Sequence, residues 1–221
     1  MQRLRLSIVA ALAVLAVLAI VLPATAASGG ASKWKVSSYN PSGRALSSKV
    51  ADGGSGVVAS FAFPATPDAA LLTTDHGSYK GTLLGDLSGK TLSAGWSSTG
   101  ATYTYYGQPD ACNSPASVRL FFTSTGGKFA ETQYWWAHGS GASALAAHGG
   151  TLTAPLADPS LWSDFYGHSG SDPAYSAAFA SAVANVTSVG LSFGGGCFFE
   201  NGVGTTDGSG TFVLNSYTAT N

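Results

Sequence analysis

The chain has little charge, with 10 lysine and arginine residues against 11 aspartate and glutamate residues in 221. Because it has no excess of basic residues, it lacks the positive face that binding to nucleic acid or to an anionic membrane requires. Glutamate occurs only at Glu131 and Glu200, and the four histidines are scattered along the chain. EF-hand and paired-cysteine spacings are both missing, which excludes the common sequence-encoded calcium and zinc sites.

Long apolar runs are also missing, except at the N-terminus. Arg3 and Arg5 precede an unbroken apolar run over 8–22, which Pro23 ends before the small residues Ala24-Thr25-Ala26. This order of charge, apolar run and small residues is typical of a cleaved signal peptide. The alternative is an uncleaved anchor, but roughly 17 apolar residues lie at the short limit for crossing a bilayer. We predict a signal peptide over 1–26, secretion, and no contact with the membrane after cleavage.

Cleavage would leave about 195 residues with a net charge near −3, a suitable size for one domain with a core. Residues 27–55 are rich in serine and glycine and predict a loose entry segment with one short strand near Trp34. Residues 56–221 are rich in Ser, Thr, Gly and aromatic residues, a composition that suits an extracellular β-sandwich domain.

Cys112 and Cys197 are the two cysteines of the chain. In an oxidising compartment two cysteines most often pair, so we predict a disulfide between them, with two buried free thiols as the alternative. The bond would close a loop of about 85 residues, worth roughly 4–5 kcal/mol in the chain-entropy model. No cofactor is predicted, although aspartates beside glycine could supply oxygen ligands to a structural calcium ion: Asp52, Asp75, Asp86 and Asp207.

The hydrophobic pattern has a period of two, which is typical of β-strands with one buried face. It recurs over 57–63, 91–96, 117–123 and 188–193, with turn signals such as Gly126-Gly127 between the runs. Short strands at fairly even spacing predict an all-β fold, a two-sheet antiparallel β-sandwich or jelly roll. One short α-helix is predicted near 173–184, where Asp172 can cap an alanine-rich stretch that begins with Pro173.

The segment 131–136 is the first candidate for a binding surface. If it is a strand, Glu131, Gln133 and Trp135 share one face, because alternate side chains point the same way. A carboxylate, an amide and an indole in a row suit a sugar, since the ring can stack on the pyranose while the polar groups bind its hydroxyls. The alternative is that the adjacent tryptophans belong to the core.

A second aromatic cluster, with Trp162 and Tyr166, lies in a segment that is interpreted as a loop, where binding residues often gather. The alternative is a hydrophobic plug at the end of the sandwich. We therefore expect an extracellular, non-catalytic glycan-binding domain whose partner is a polysaccharide or a cell-surface glycan. Two other functions stay open. One is a small glycoside hydrolase that uses Glu131 and Glu200 as paired carboxylates. The other is a structural or cell-surface protein without a small-ligand site.

Four segments resemble the strand openings of bacterial secreted jelly-roll modules, the galactose-binding-like and carbohydrate-binding-module sandwiches. The resemblance covers most of 56–219 and is carried by 85–92 (GDLSGKTL), 116–122 (ASVRLFF), 134–136 (YWW) and 189–196 (VGLSFGGG). It implies a jelly roll with a glycan site formed by aromatic residues or by loops at one end. No binding motif matches position by position, so the resemblance assigns no functional residue.

Overall fold

The alternating segments form two antiparallel sheets in a computed structural model, which describes residues 33–39, 45–54, 56–106, 114–124, 130–195 and 202–221. Within these residues one α-helix is present, α1 (Ser176–Val183). The predicted all-β, two-sheet antiparallel sandwich with one short helix is confirmed.

The larger sheet has the strand order β12-β9-β8-β13-β5-β1-β2, with β10 against β8 and with β14 between β5 and β7. The smaller sheet has the order β11-β6-β15-β4-β3. The strands are β1 (Lys35–Tyr39), β2 (Ala45–Val50), β3 (Asp52–Gly54), β4 (Val57–Ala62), β5 (Ala69–Thr74), β6 (Thr91–Thr99), β7 (Tyr103–Tyr105), β8 (Ser117–Thr123), β9 (Tyr134–Ala137), β10 (Ala142–Ala144), β11 (Gly149–Pro155), β12 (Trp162–Ser163), β13 (Ser188–Gly194), β14 (Val203–Thr205) and β15 (Thr211–Thr220). Short 3-10 turns lie at Gly77–Tyr79, Glu131–Gln133, Gly139–Gly141, Leu145–Ala147 and Pro159–Leu161.

Phenylalanine rings join the two sheets. Phe193 of β13 lies with its ring centroid 5.4 Å from Phe61 of β4 and 4.9 Å from Phe212 of β15. The buried Tyr217 hydroxyl also crosses between the sheets and donates to the Gly190 carbonyl at 3.3 Å. Each such ring stabilises the fold by about 1.5–3 kcal/mol when it leaves water, which explains why the inward positions of these strands are apolar.

The entry segment differs from its prediction. One short strand was expected before residue 56, but β1, β2 and β3 all lie there. Strand β1 pairs with β5 on one side and with β2 on the other, and β3 pairs with β4. In the described part of this segment, Ser48, Gly53 and Gly54 are exposed residues of strands.

The helix forms within the predicted alanine-rich stretch, but it begins at Ser176 with Tyr175 as its N-cap, so the prediction that Asp172 caps it and that Pro173 is its first residue is wrong. The Asp172 side chain accepts a hydrogen bond from the Ala174 N–H at 2.9 Å, and its carbonyl accepts from the Ser176 N–H. The first bond closes the turn before the helix, and the second satisfies the backbone donor of the first helical residue, which has no partner within the helix. Phe179 and Val183 are buried and attach the helix to the core.

Two predictions concern residues outside the described part of the chain: the signal peptide over 1–26 and the disulfide between Cys112 and Cys197. The predicted disulfide thus stays a prediction. Among the described residues, no helix combines the length and the apolar character needed to cross a membrane.

Candidate functional site

The first predicted binding surface is wrong in its central residue. Glu131–Gln133 is a 3-10 turn, and the strand begins only at Tyr134, so the three predicted residues do not share a strand face. Trp135 points into the core with no exposed surface, its ring lies 4.9 Å from Phe179, and its Nε1–H donates to the Thr132 carbonyl at 3.0 Å. A ring without exposed surface cannot stack on a sugar.

Trp162 of the second cluster is also buried completely, with its Nε1–H donating to the Pro155 carbonyl at 3.1 Å. Its ring lies 5.1 Å from Phe122, so it belongs to the core, and the prediction that it binds a glycan is wrong. Tyr166 is different, because 53% of it is exposed. Of the two aromatic residues predicted in this cluster, only Tyr166 can meet a ligand.

The remaining predicted residues do not form a described site. Gln133 is half-buried, and its backbone N–H donates to the Ala130 carbonyl. The Glu131 side chain and all of Glu200 lie outside the described part of the structure. The paired-carboxylate hypothesis for a glycoside hydrolase therefore stays a prediction.

A row of aromatic rings covers the outer face of the larger sheet beside Tyr166. Trp136 lies 5.1 Å from Phe121 and 6.1 Å from Phe165, whose ring lies 5.3 Å from Tyr166. The Trp136 Nε1–H donates to the Ser192 hydroxyl at 2.9 Å, which satisfies its polar atom within the sheet. Together with Tyr134, these rings form what we call the aromatic face: Phe121, Tyr134, Trp136, Phe165 and Tyr166. Tyr166 is its exposed end.

A buried carboxylate organises the loop that carries Tyr166. Asp164 has no exposed surface, and its Oδ1 accepts hydrogen bonds from the backbone N–H groups of Tyr166 at 3.0 Å and His168 at 2.9 Å. Its Oδ2 lies 2.9 Å from Nδ1 of the His168 ring. Because one side chain holds three groups of the same loop, the positions of Tyr166 and His168 are fixed relative to each other.

Tyr175 supports His168 from the other side. The two rings are parallel within 9° and their centroids lie 4.0 Å apart, while the Tyr175 hydroxyl lies 3.1 Å from Nε2 of His168. The His168 side chain is 38% exposed, and its ring lies 6.2 Å from Tyr166. We call these four residues the Tyr166 site: Asp164, Tyr166, His168 and Tyr175.

A serine and a histidine also meet near this loop, since Nε2 of His138 lies 2.7 Å from the Ser163 hydroxyl. Part of His138 is exposed, but the partial burial of its ring, followed by the charge of Arg119, lowers its pKa. A nucleophilic serine needs a histidine whose protonated form is stabilised by a carboxylate. Arg119 has the opposite effect, and the neighbouring Asp164 binds His168 instead, so this pair does not form a catalytic triad.

A cleft of about 530 Å³ opens at one edge of the sandwich, between β1 and β2 of the larger sheet and β3 and β4 of the smaller sheet. Phe61 and Val36 contribute apolar surface, and Lys49, Asp52 and Asp68 contribute charge. Its volume suits a small ligand. It lies apart from the Tyr166 site, because its lining residues are on the opposite edge of the larger sheet from β12.

Three of the four aspartates that were predicted as possible calcium ligands have described side-chain contacts within the chain. Asp86 accepts from the Ser88 backbone N–H at 2.9 Å, and hydrogen bonds from Ser88 lower its pKa. Asp207 has the same relation to Ser209, and Asp75 lies 3.4 Å from the Lys35 ammonium group. Within the described ranges no three His, Cys, Asp or Glu side chains come together as metal ligands.

Sequence reasoning found Tyr166 but missed its polar partners, Asp164, His168 and Tyr175. The available signal was an aspartate and a histidine four residues apart in an aromatic segment, a spacing that a turn or a helix brings together. No family model, curated protein or solved structure matches the chain.

Proposed function

We propose that this protein is a non-catalytic, extracellular glycan-binding domain and that a sugar ring binds against Tyr166. The observation that carries the proposal is an exposed aromatic ring beside fixed polar groups, since Tyr166 is 53% exposed and lies 6.2 Å from His168. A pyranose presents an apolar C–H face and a rim of hydroxyl groups. An aromatic ring next to hydrogen-bonding atoms is complementary to both features.

Rigidity supports this proposal. The contact of Tyr166 with Phe165, which itself lies against Trp136, holds one side of the ring. The Asp164 carboxylate accepts a hydrogen bond from the backbone N–H of Tyr166. Because the ring is already held in place, little conformational entropy is lost when a ligand binds.

The same geometry favours binding over hydrolysis. A glycosidase needs two carboxyl groups that reach the substrate. Asp164 is the carboxylate of the Tyr166 site, but it has no exposed surface and both of its oxygens accept hydrogen bonds from the loop. It therefore cannot donate a proton to a bound sugar or attack it.

The test is a pull-down of the full chain on insoluble polysaccharides together with a glycan array, with and without EDTA. Tyr166→Ala is expected to lower the affinity for any glycan bound by about 30-fold, because truncating a central aromatic anchor costs about 2 kcal/mol or more. Tyr166→Phe should keep most of the affinity, since the ring remains. Loss of binding in EDTA would add calcium to the proposal.

Tyr106→Ala is the matched control, because Tyr106 is also exposed, at 43%, but does not belong to the Tyr166 site. Its backbone N–H donates to the carbonyl of Gly202, the residue before β14. Val50→Asp is a second control, since Val50 lines the edge cleft and is 56% exposed. If Val50→Asp abolished binding and Tyr166→Ala did not, the ligand would bind in the cleft instead. The absence of binding to plant, fungal and bacterial glycans would contradict the proposal and favour a structural protein.

A further inference from the structure

The cleft at the edge of the sandwich carries a lysine in a row of residues that is otherwise apolar. The row crosses the larger sheet in direct register and consists of Leu120, Leu191, Leu72, Val36 and Lys49. Residues that pair directly lie on one face of a sheet. This is the inner face, because the three leucines have no exposed surface and Val36 packs against the core. The row ends on the edge strand β2 in Lys49, which is exposed.

Phe61 lines the same cleft from the smaller sheet. It is 7% exposed, and its ring is held by Phe63, whose centroid lies 5.0 Å away, and by Phe212 at 5.6 Å. A molecule in the cleft therefore meets a fixed aromatic ring from one sheet and the aliphatic side chain of Val36 from the other. Because Lys49 is paired with Val36, its ammonium group lies beside this apolar surface.

Asp52 lines the cleft too, but it does not share the inner face with Lys49. It is paired with Ser60 of β4, which stands between the buried Ala59 and Phe61. Since successive side chains of a strand point to opposite faces, Ser60 and Asp52 face outward from the smaller sheet. The Asp52 carboxylate therefore lies at the rim of the cleft.

Asp68 lies at the other end of the cleft from Lys49. It precedes Leu72, a member of the lysine row, by four residues, which corresponds to about 13 Å along a strand. Its carboxylate accepts a hydrogen bond from the Thr66 hydroxyl. Within the part of the chain that the structure describes, Lys49 forms no ion pair with either aspartate. Its ammonium group is thus available to an anion in the cleft.

We propose that this cleft binds a small organic monocarboxylate, with its apolar body between Val36 and Phe61 and its carboxylate on the Lys49 ammonium group. The cleft has a volume of about 530 Å³. A cavity of about 150 Å³ holds benzene, so an eight-carbon carboxylate needs about 250 Å³ on the same scale. A second carboxylate at the far end of the ligand would approach Asp68, so a dicarboxylate of equal length is disfavoured. This site is separate from the Tyr166 site and does not depend on the proposed glycan binding.

The test is a titration of the full chain with octanoate, followed by ¹H–¹⁵N NMR so that the binding place is seen directly. The amide signals of β1, β2 and β4 are expected to shift, with a Kd of about 1 mM, a modest affinity for a ligand of this size. Octanol has the same chain without the charge and should bind about threefold more weakly, since an exposed ion pair contributes little. Octylammonium and octanedioate should bind more weakly than octanol, because each places an unfavourable charge in the cleft.

Lys49→Glu is the sharpest variant, because it reverses the charge at an exposed position and removes no buried group. Affinity for octanoate should fall about tenfold, and octylammonium should become the tighter ligand. Lys49→Gln, which only removes the charge, should weaken octanoate about threefold and leave octanol unchanged. A merely structural lysine would not exchange the preference between an anion and a cation.

Lys35→Gln is the matched control, because it removes the same charge from the neighbouring strand β1. Lys35 precedes Val36 and therefore points to the opposite face of the sheet, where its ammonium group lies 3.4 Å from Asp75. Octanoate affinity should not change in this variant. Tyr166→Ala should also leave it unchanged, since Tyr166 lies at the other edge of the larger sheet.

An inward lysine on an edge strand can also serve to prevent sheets from pairing edge to edge. That role alone predicts that Lys49→Gln associates in solution while its octanoate affinity stays the same, a result that would overturn the inference. So would equal affinities for octanoate and octanol, or the absence of shifts in β1, β2 and β4 at about 10 mM octanoate, which is well above the expected Kd. None of these results bears on glycan binding at Tyr166, so the two proposals can fail separately.

Discussion

The outer faces of the two sheets differ in composition and in exposure. On the larger sheet, Phe121 and Trp136 point outward from the sandwich but are only 1% and 4% exposed. On the smaller sheet, the outward positions carry mostly serine and threonine, and these residues are half-buried or exposed rather than buried. We call this second surface the hydroxyl face: Thr91, Ser93, Ser97, Thr99, Thr151, Thr153, Thr211, Thr218 and Thr220.

The comparison shows that a residue can face away from the core of a sandwich and still be buried. Phe165, in the loop after β12, packs on Trp136 from outside. The larger sheet therefore has a second apolar layer, and the exposed Tyr166 lies at its end. Among the residues that the structure describes, no aromatic layer covers the hydroxyl face, and its neighbouring hydroxyls bond each other, as Ser93 and Thr153 do at 3.2 Å.

Trp136→Ala should have the largest effect. Removing a nearly buried indole leaves a cavity, and such truncations cost about 3–5 kcal/mol. The Ser192 hydroxyl would also lose the hydrogen bond that it accepts from the Trp136 Nε1–H at 2.9 Å. The free energy of unfolding, measured by urea denaturation, is expected to fall by this amount.

Trp136→Phe is the control, because it keeps an aromatic ring between Phe121 and Phe165. Its loss should be clearly smaller than that of the alanine variant. A loss below about 1 kcal/mol for Trp136→Ala would mean that the aromatic face is open to water in solution, and the contrast between the two faces would disappear.

The sequence predicted the elements of the fold better than the surfaces. The period of two located β6, β8 and β13, because alternation reflects a local geometry that each strand imposes. The alanine-rich stretch located the helix for the same reason, although the helix begins at Ser176 and Asp172 is not its N-cap. The pattern of 131–136 fits a strand that begins at 131 as well as the observed strand that begins at 134. Alternation therefore could not show that Trp135 faces the core.

The candidate site depended on contacts between distant or oddly spaced residues. Trp162 is buried because Phe122, forty positions earlier in the chain, lies against it. Asp164 and His168 meet because the chain turns between them and Gly167 adopts φ of 85°, in the left-handed region that glycine tolerates. Neither relation has a periodic signature, so only Tyr166 could be selected from composition and loop position.

His138, near the aromatic face, should make stability depend on pH. Its pKa is lowered in the folded protein, first by burial and then by the charge of Arg119. The unfolded chain therefore binds a proton at a higher pH than the folded protein does. Its contribution to stability is complete above the unfolded pKa of about 6.5 and is lost as the pH falls below that value, until the folded form is also protonated.

His138→Gln keeps a side chain that can bond Ser163 and removes the titration. The decrease in unfolding free energy between about pH 7.5 and about pH 5 should be smaller in this variant than in the wild type. His76→Gln is the matched control, since His76 lies in an exposed turn where its Nδ1 bonds Ser78. An equal decrease in the wild type and in His138→Gln would contradict the assignment.

Thr153→Val should have the smallest effect, because it changes the hydroxyl face and no buried group. Valine keeps the branched shape that suits a strand, and water can replace the hydroxyl that Thr153 shares with Ser93 at 3.2 Å. The free energy of unfolding is expected to change by less than about 0.5 kcal/mol, the usual range for surface substitutions. A loss above about 1 kcal/mol that grows with protein concentration would mean that another copy of the chain covers this face. The hydroxyl face would then be a buried interface, as the aromatic face is a buried layer, and the two faces would differ in what covers them rather than in exposure.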